Sequence, residues 1–165
     1  MDSENAHPLE SRPPTLEDLL RLCGNLNLQG ARYIVVGGIA VIQHGFTRAT
    51  ENIDILIGKS RENQLKVRKA MEALPDGAVR ELRDDDLENY LVVRVADEFI
   101  VDLMLMTCGI SYDEAVKDVE VHTLQGVPIP FVSPRTLLRM KQTVREKGSI
   151  DRSFLEGKIR EEKSR

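Results

Sequence analysis

Three stretches of this sequence hold residues whose types suit chemistry better than packing. In Asn52-Ile-Asp54-Ile-Leu-Ile57, side chains alternate across a strand. Ile53, Ile55 and Ile57 then turn one way, and Asn52 and Asp54 share the opposite face. A carboxylate beside an amide oxygen offers the hard ligands that Mg²⁺ prefers; a polar strand end in water is the plainer reading. In Phe99-Ile-Val-Asp102-Leu-Met-Leu-Met106 an aspartate sits among apolar residues. Buried without a partner it would cost several kcal/mol, so a metal ion or an arginine must meet it. Gly37-Gly38 follows Arg32-Tyr-Ile-Val-Val36. Glycine lets the backbone approach a ligand closely, and a helix start offers free N–H groups to an anion. Alone, the pair reads equally as a tight turn.

Together these features fit one device. Carboxylates on adjacent strands bind divalent ions, which neutralise a triphosphate and align an attacking hydroxyl for in-line displacement. Backbone N–H groups of the glycine turn hold the outer phosphates. Arg48 suits a phosphate or a surface salt bridge. Lys141 and Arg145, four apart, share a helix face that meets either phosphate or solvent. His44 reads as a helix-end histidine near Gly45, His7 and His122 show no ligand spacing, and Asp84-Asp85-Asp86 reads as a solvated loop.

The elements that must position these residues follow from pattern. Thr15 caps a first helix with a stripe of Leu16, Leu19, Leu20, Leu22 and Cys23. Arg32 to Gly37 is a strand, Ile39 to His44 a short helix, and Glu51 to Ile57 a second strand. Ser60 caps a helix that runs to Leu74 and stops at Pro75-Asp76-Gly77. Ala78 to Leu82 is read as a strand and Asp84 to Asn89 as an acidic loop. Tyr90–Val95 and Phe99–Met106 form a hairpin through Ala96-Asp97-Glu98. Ser111 or Tyr112 opens a short helix, and Val119 to Phe131 is irregular strand material around Pro128 and Pro130. Ser133-Pro134 starts a last helix with Leu137, Leu138, Met140 and Val144 on its apolar side. The order implies an α/β (α+β) domain with a mixed β-sheet flanked by helices.

Length bounds the rest. A chain of 165 residues, 41% hydrophobic and 30% charged, suits one domain. Residues 1–14 read as a flexible leader, 15–157 as the domain and 158–165 as a charged tail. No apolar run approaches the roughly 18 residues of a membrane span, and the acidic, proline-rich N-terminus is unlike a secretion signal, so the expected address is cytoplasmic. The net charge of −4 argues against a broad nucleic-acid surface. Cys23 and Cys108 read as reduced, buried thiols.

Val35-Val-Gly37-Gly38, Arg48-Ala-Thr50, Asn52-Ile-Asp54 and Val101-Asp102 resemble the nucleotidyltransferase superfamily, in particular its small bacterial members of the abortive-infection toxin type. The resemblance spans about residues 31–106. It implies a metal-dependent transfer of a nucleoside monophosphate from a nucleoside triphosphate to a hydroxyl on a tRNA, a protein or a small molecule. It also implies Mg²⁺ or Mn²⁺ on Asn52, Asp54 and Asp102, with Asp54 and Asp102 catalytic. Phosphates would lie on Gly37, Gly38, Arg48, Lys141 and Arg145. One position departs from the pattern: the first acid of the strand pair is Asn52, which brings an oxygen without a charge. That departure supports a second reading, a catalytically weakened nucleotide-binding or interaction protein of toxin–antitoxin type with an antitoxin partner.

Overall fold

A computed structural model describes residues 10–141 and 146–163, and the side chains of 146–150 are not part of that description. The first helix, α1 (Leu16–Leu28), starts where Thr15 and Asp18 form a reciprocal capping box: Thr15 Oγ1 accepts from Asp18 N and Asp18 Oδ2 from Thr15 N. Its stripe of Leu19, Leu22, Cys23 and Leu26 is buried. Strand β1 (Tyr33–Val36) runs straight into helix α2 (Gly37–Gln43), then β2 (Asn52–Ile57) and α3 (Arg61–Glu72). A short α4 (Asp86–Asn89) precedes β3 (Val93–Ala96) and β4 (Ile100–Met104). A small ribbon, β5 (Met106–Thr107) and β6 (Ile110–Ser111), leads to α5 (Tyr112–Ala115). The hairpin β7 (Glu120–Leu124) and β8 (Val127–Phe131) comes next, followed by α6 (Pro134–Met140) and α7 (Glu146–Lys163).

Six strands form one mixed sheet in the order β3-β4-β2-β1-β8-β7. β2 pairs with β4 and β1 with β8 in parallel; the other pairings are antiparallel. All of β1, and consecutive Ile55, Leu56 and Ile57 of β2, are buried, as a strand covered on both faces requires. Helix α1 packs on α3 and β8, α2 on β1, β2 and α6, and α6 on α7. The expected mixed sheet with flanking helices is therefore the fold.

Several local expectations are corrected. Residues Ala78–Glu81 form a 3₁₀ turn, not a strand. Gly77 sits at φ +59°, and the buried Asp97 carboxylate accepts from the backbone N–H groups of Asp76 and Ala78, both at 3.0 Å. Those bonds curl the segment back. The acidic stretch after it closes into α4, because Asp86 Oδ2 caps Arg83 N. The β7–β8 strands are regular, joined by Gln125-Gly126 with φ +48° and +84°, the pair of positive angles that a two-residue hairpin favours. The helix that Ser133-Pro134 opens ends at Met140, Val144 lies outside the described residues, and a further helix, α7, follows. Cys108 is exposed, in the β5–β6 turn, whereas Cys23 is buried as expected.

Part of the supposed leader is docked. Ser11 Oγ donates to Asp97 O (2.7 Å), and Arg12 donates to both Asp18 (2.5 and 2.9 Å) and Glu98 (2.7 Å). The Arg12 guanidinium holds the Asp18 carboxyl down to about 2, against its desolvation. A depressed carboxylate stabilises the fold above its unfolded pKa and loses that contribution as pH falls towards the folded value. Asp18→Asn should therefore lower stability by about 1–2 kcal/mol at neutral pH, a figure discounted because Arg12 is half-exposed. Urea unfolding of the two proteins should converge between about pH 4 and pH 2; a gap unchanged across that range would refute the assignment.

Candidate active site

The sheet register assembles the site. Asp54 of β2 lies directly opposite Asp102 of the parallel β4. Side chains at paired positions point to the same face, so both carboxylates project together, and Asn52 joins them from two residues upstream. The three expected ligands thus converge. Asn52 Nδ2 donates to Asp102 Oδ2 at 2.8 Å and also to Asp54 Oδ1. The amide therefore bridges the two acids through its N–H groups.

Asp102, 6% exposed, also meets the arginine that its burial called for. Arg94 sits opposite it on β3, with Nε 2.9 Å from Oδ1 and Nη2 3.0 Å from Oδ2, a two-pronged fork. Hydrogen bonding to Asp102 raises the Arg94 pKa above its ordinary value, and the charges of Asp54 and Glu51 add to the effect. Arg94 was not singled out from sequence. A hairpin sets one β3 residue against Asp102, but the sequence does not show which one.

Gly37 opens α2 against the acids. Its φ is +67°, and a Cβ there would overlap the Asp54 carboxylate, 2.8 Å from Cγ and 2.9 Å from Cβ. A Cβ on Gly38 would come 2.8 Å from Thr50 Oγ1 and 2.9 Å from Arg48 Nη2. The glycine turn is therefore seated on the side chains of the candidate site, which a simple strand-to-helix turn does not require.

Across the cavity, Arg48 and Lys141 converge on Asp151 of α7, which is 1% exposed. Arg48 Nη2 donates to Asp151 Oδ2 (3.0 Å), its Nε lies 2.9 Å from Oδ1, and Lys141 Nζ is 3.2 Å from Oδ2. Both cations line the pocket, but both are held by a buried acid that the sequence reading did not flag. Asp151 carried no local signal, since it is one acid in a helix rich in charged residues. Arg145 lies outside the described residues. Asp84 and Asp85 are solvent-exposed, as expected of a solvated loop.

The pocket enclosed has a volume of about 360 Å³, within the range of small-molecule sites. Its described lining holds three acids, Asp54, Asp102 and Asp151, and three bases, Arg48, Arg94 and Lys141. That balance leaves no surplus of positive charge for a polyphosphate. A triphosphate would need a further cation, or release of the bases from their acids. The donor set has the oxygens that a single divalent ion takes: two carboxylates on one face, with an amide beside them. An ion there would compete with the Asn52 N–H groups and the Arg94 fork.

A second polar cluster lies away from this pocket. His44 follows α2 at the end opposite Gly37, and its ring meets Glu120 and His122 of β7, with ligand atoms within 4.8 Å of one another. Burial pushes the His44 imidazole below its ordinary pKa. The His122 spacing was read as uninformative. Yet Glu120 and His122, two apart on one strand, share a face, and that was the available signal.

No family model and no curated relative matches the sequence. The fold does match the crystal structure of a candidate nucleotidyltransferase from Thermotoga maritima, with a TM-score of 0.56 and 15% sequence identity, over 89% of this chain and 92% of that one. The chain therefore has a nucleotidyltransferase-like fold. No helix among the described residues is long and apolar enough to cross a membrane.

Proposed function

We propose that the pocket binds a nucleoside triphosphate and, with Mg²⁺ or Mn²⁺, transfers its nucleoside monophosphate to a hydroxyl acceptor, breaking the bond between the α- and β-phosphates and releasing pyrophosphate. The carrying observation is the in-register pair Asp54 and Asp102 on one face, beneath a glycine turn with no room for a side chain. Backbone N–H groups of Gly37 and Gly38 would take the outer phosphates, with Arg48 and Lys141 beside them. Asp102, held by Arg94, would orient the acceptor hydroxyl and accept its proton. Asp54 and Asp102, with the Asn52 carbonyl, would hold the divalent ion, which supplies charge neutralisation and alignment for in-line displacement. The acceptor classes compatible with this reading are an RNA end, a protein side chain and a small molecule.

A second reading, that of a nucleotide-binding or toxin–antitoxin-type protein with weakened catalysis, is favoured by one observation. The Asn52 amide and the Arg94 guanidinium already satisfy the two acids without an ion. Labelled nucleotide turnover with Mn²⁺ separates the two. The first reading expects turnover by the parent chain and a loss of at least about a hundredfold in Asp102→Asn. Turnover that emerges only in Asn52→Asp supports the second, and nucleotide binding by neither protein overturns both.

A further inference from the structure

His44, Glu120 and His122 form a group whose geometry asks for a cation. His44 is almost wholly buried, with a side chain only 2% exposed. Its Nε2 lies 2.7 Å from the carbonyl oxygen of Val132. A carbonyl can only accept, so Nε2 carries the proton, and in the neutral ring the Nδ1 lone pair faces outward. What it faces is Glu120 Oε1 at 3.9 Å, a second acceptor, too far for a hydrogen bond. His122 Nε2 approaches the same oxygen at 3.4 Å. Its ring is steadied edge-on against Phe131, with centroids 5.6 Å apart.

We propose that these three side chains bind a single Zn²⁺ ion through His44 Nδ1, Glu120 Oε1 and His122 Nε2, with water in the remaining position. Ligand chemistry and spacing carry the assignment. Two imidazoles and a carboxylate are a borderline-soft set that suits zinc. Bonds of about 2.0–2.2 Å in a tetrahedron place the donor atoms about 3.3 Å apart. The separations of 3.4 and 3.9 Å to Glu120 Oε1 need contraction of about half an ångström or less, and the two imidazole nitrogens, within 4.8 Å of one another, close by rotation of the partly exposed His122 and Glu120 side chains. The Val132 carbonyl is the outer partner that fixes the tautomer and aim of a metal-binding histidine.

The site is independent of the nucleotide pocket. It joins the residue that follows α2 to the edge strand β7, and solvent reaches it through Glu120 and His122. His44 also lines a cleft of about 340 Å³ with Lys158 and Glu161 of α7.

Calorimetric titration of EDTA-stripped full-length chain with ZnCl₂ tests the assignment, alongside His122→Ala, Glu120→Gln and Asp54→Asn. One ion per chain is expected at this site, in the parent and in Asp54→Asn alike; any further ion that Asp54→Asn removes belongs to the nucleotide pocket. His122→Ala should weaken binding about a hundredfold or more, and Glu120→Gln should weaken it measurably. With Co²⁺ as the probe, the parent should show the visible bands of a tetrahedral ion, and His122→Cys should add a thiolate charge-transfer band. No saturable zinc uptake by the parent, or equal affinity in parent and His122→Ala, overturns the site. Loss of zinc in Asp54→Asn, with His122→Ala unaffected, overturns it too and places the ion in the nucleotide pocket.

Discussion

Gly37→Ala should destabilise the protein by about 2–4 kcal/mol and abolish nucleotide binding. Two independent penalties act at one atom. At φ +67° a Cβ costs about 1–2 kcal/mol from its clash with the backbone. The same Cβ would occupy the space of the Asp54 carboxylate, so Asp54 must rotate away and give up its bond from Asn52. Gly38→Ala serves as the comparison. There the crowding comes from the side-chain ends of Thr50 and Arg48, which can yield, so a loss of about 1 kcal/mol is expected. Guanidinium unfolding of the three proteins, with nucleotide binding by calorimetry, measures both effects. An alanine at residue 37 as stable as the parent would show that α2 does not lean on Asp54.

The second large effect is expected from Asn52→Asp. The parent amide gives one N–H to each of two carboxylates; the substitution replaces those donors with a third negative charge. Two unit charges about 4 Å apart interact by about 4 kcal/mol at an effective dielectric of 20, and Arg94 and solvent offset part of that. A loss of about 1–3 kcal/mol without metal at neutral pH is the expected result. The sign with pH follows from repulsion, which raises the folded pKa of the added carboxyl. The folded state then binds the proton more tightly than the unfolded state, and the deficit narrows as pH falls. Added Mn²⁺ should reverse the loss, because an ion that binds only the folded state stabilises it by mass action. Melting curves with and without Mn²⁺ decide it: no metal-free deficit and no larger metal response than the parent would mean that the three side chains do not share one cation position.

How far the fold could be read from the sequence depended on pattern length. Helices α1 and α3 combine an N-cap residue with an apolar stripe, and β1 and β2 are runs of β-branched residues, so all four were legible. The convergence of Asn52, Asp54 and Asp102 was legible too, because one strand's alternation and one misplaced aspartate sufficed. Arg94 was hidden by a two-residue change of register in the hairpin. The expected loop, Ala96-Asp97-Glu98, would oppose Arg94 to Ile100; the actual pairing of Ala96 with Ile100 brings Arg94 to Asp102. The cause is Asp97, whose carboxylate is committed to backbone N–H groups of Asp76 and Ala78 far along the chain. No local pattern reports such a bond. The hairpin β7–β8 was obscured by Pro128 and Pro130. Strand alternation turns their missing N–H groups toward β1, where pairing narrows to Val35 and Phe131. Of the histidine group only the Glu120–His122 spacing was legible, since His44 and Glu120 meet only once the sheet order is known.

The salt contact between the last helix and the pocket has one more implication. Asp151 pairs with both Arg48 and Lys141. A chain shortened to end at residue 141 would keep every strand of the sheet, but the pocket wall formed by Arg48 and Lys141 would shift from balanced towards cationic. Such a fragment should hold polyanions indiscriminately, at low ionic strength above all. The C-terminal segment therefore sets the charge balance of this pocket wall, and the binding preferences of a truncated protein would differ from those of the whole.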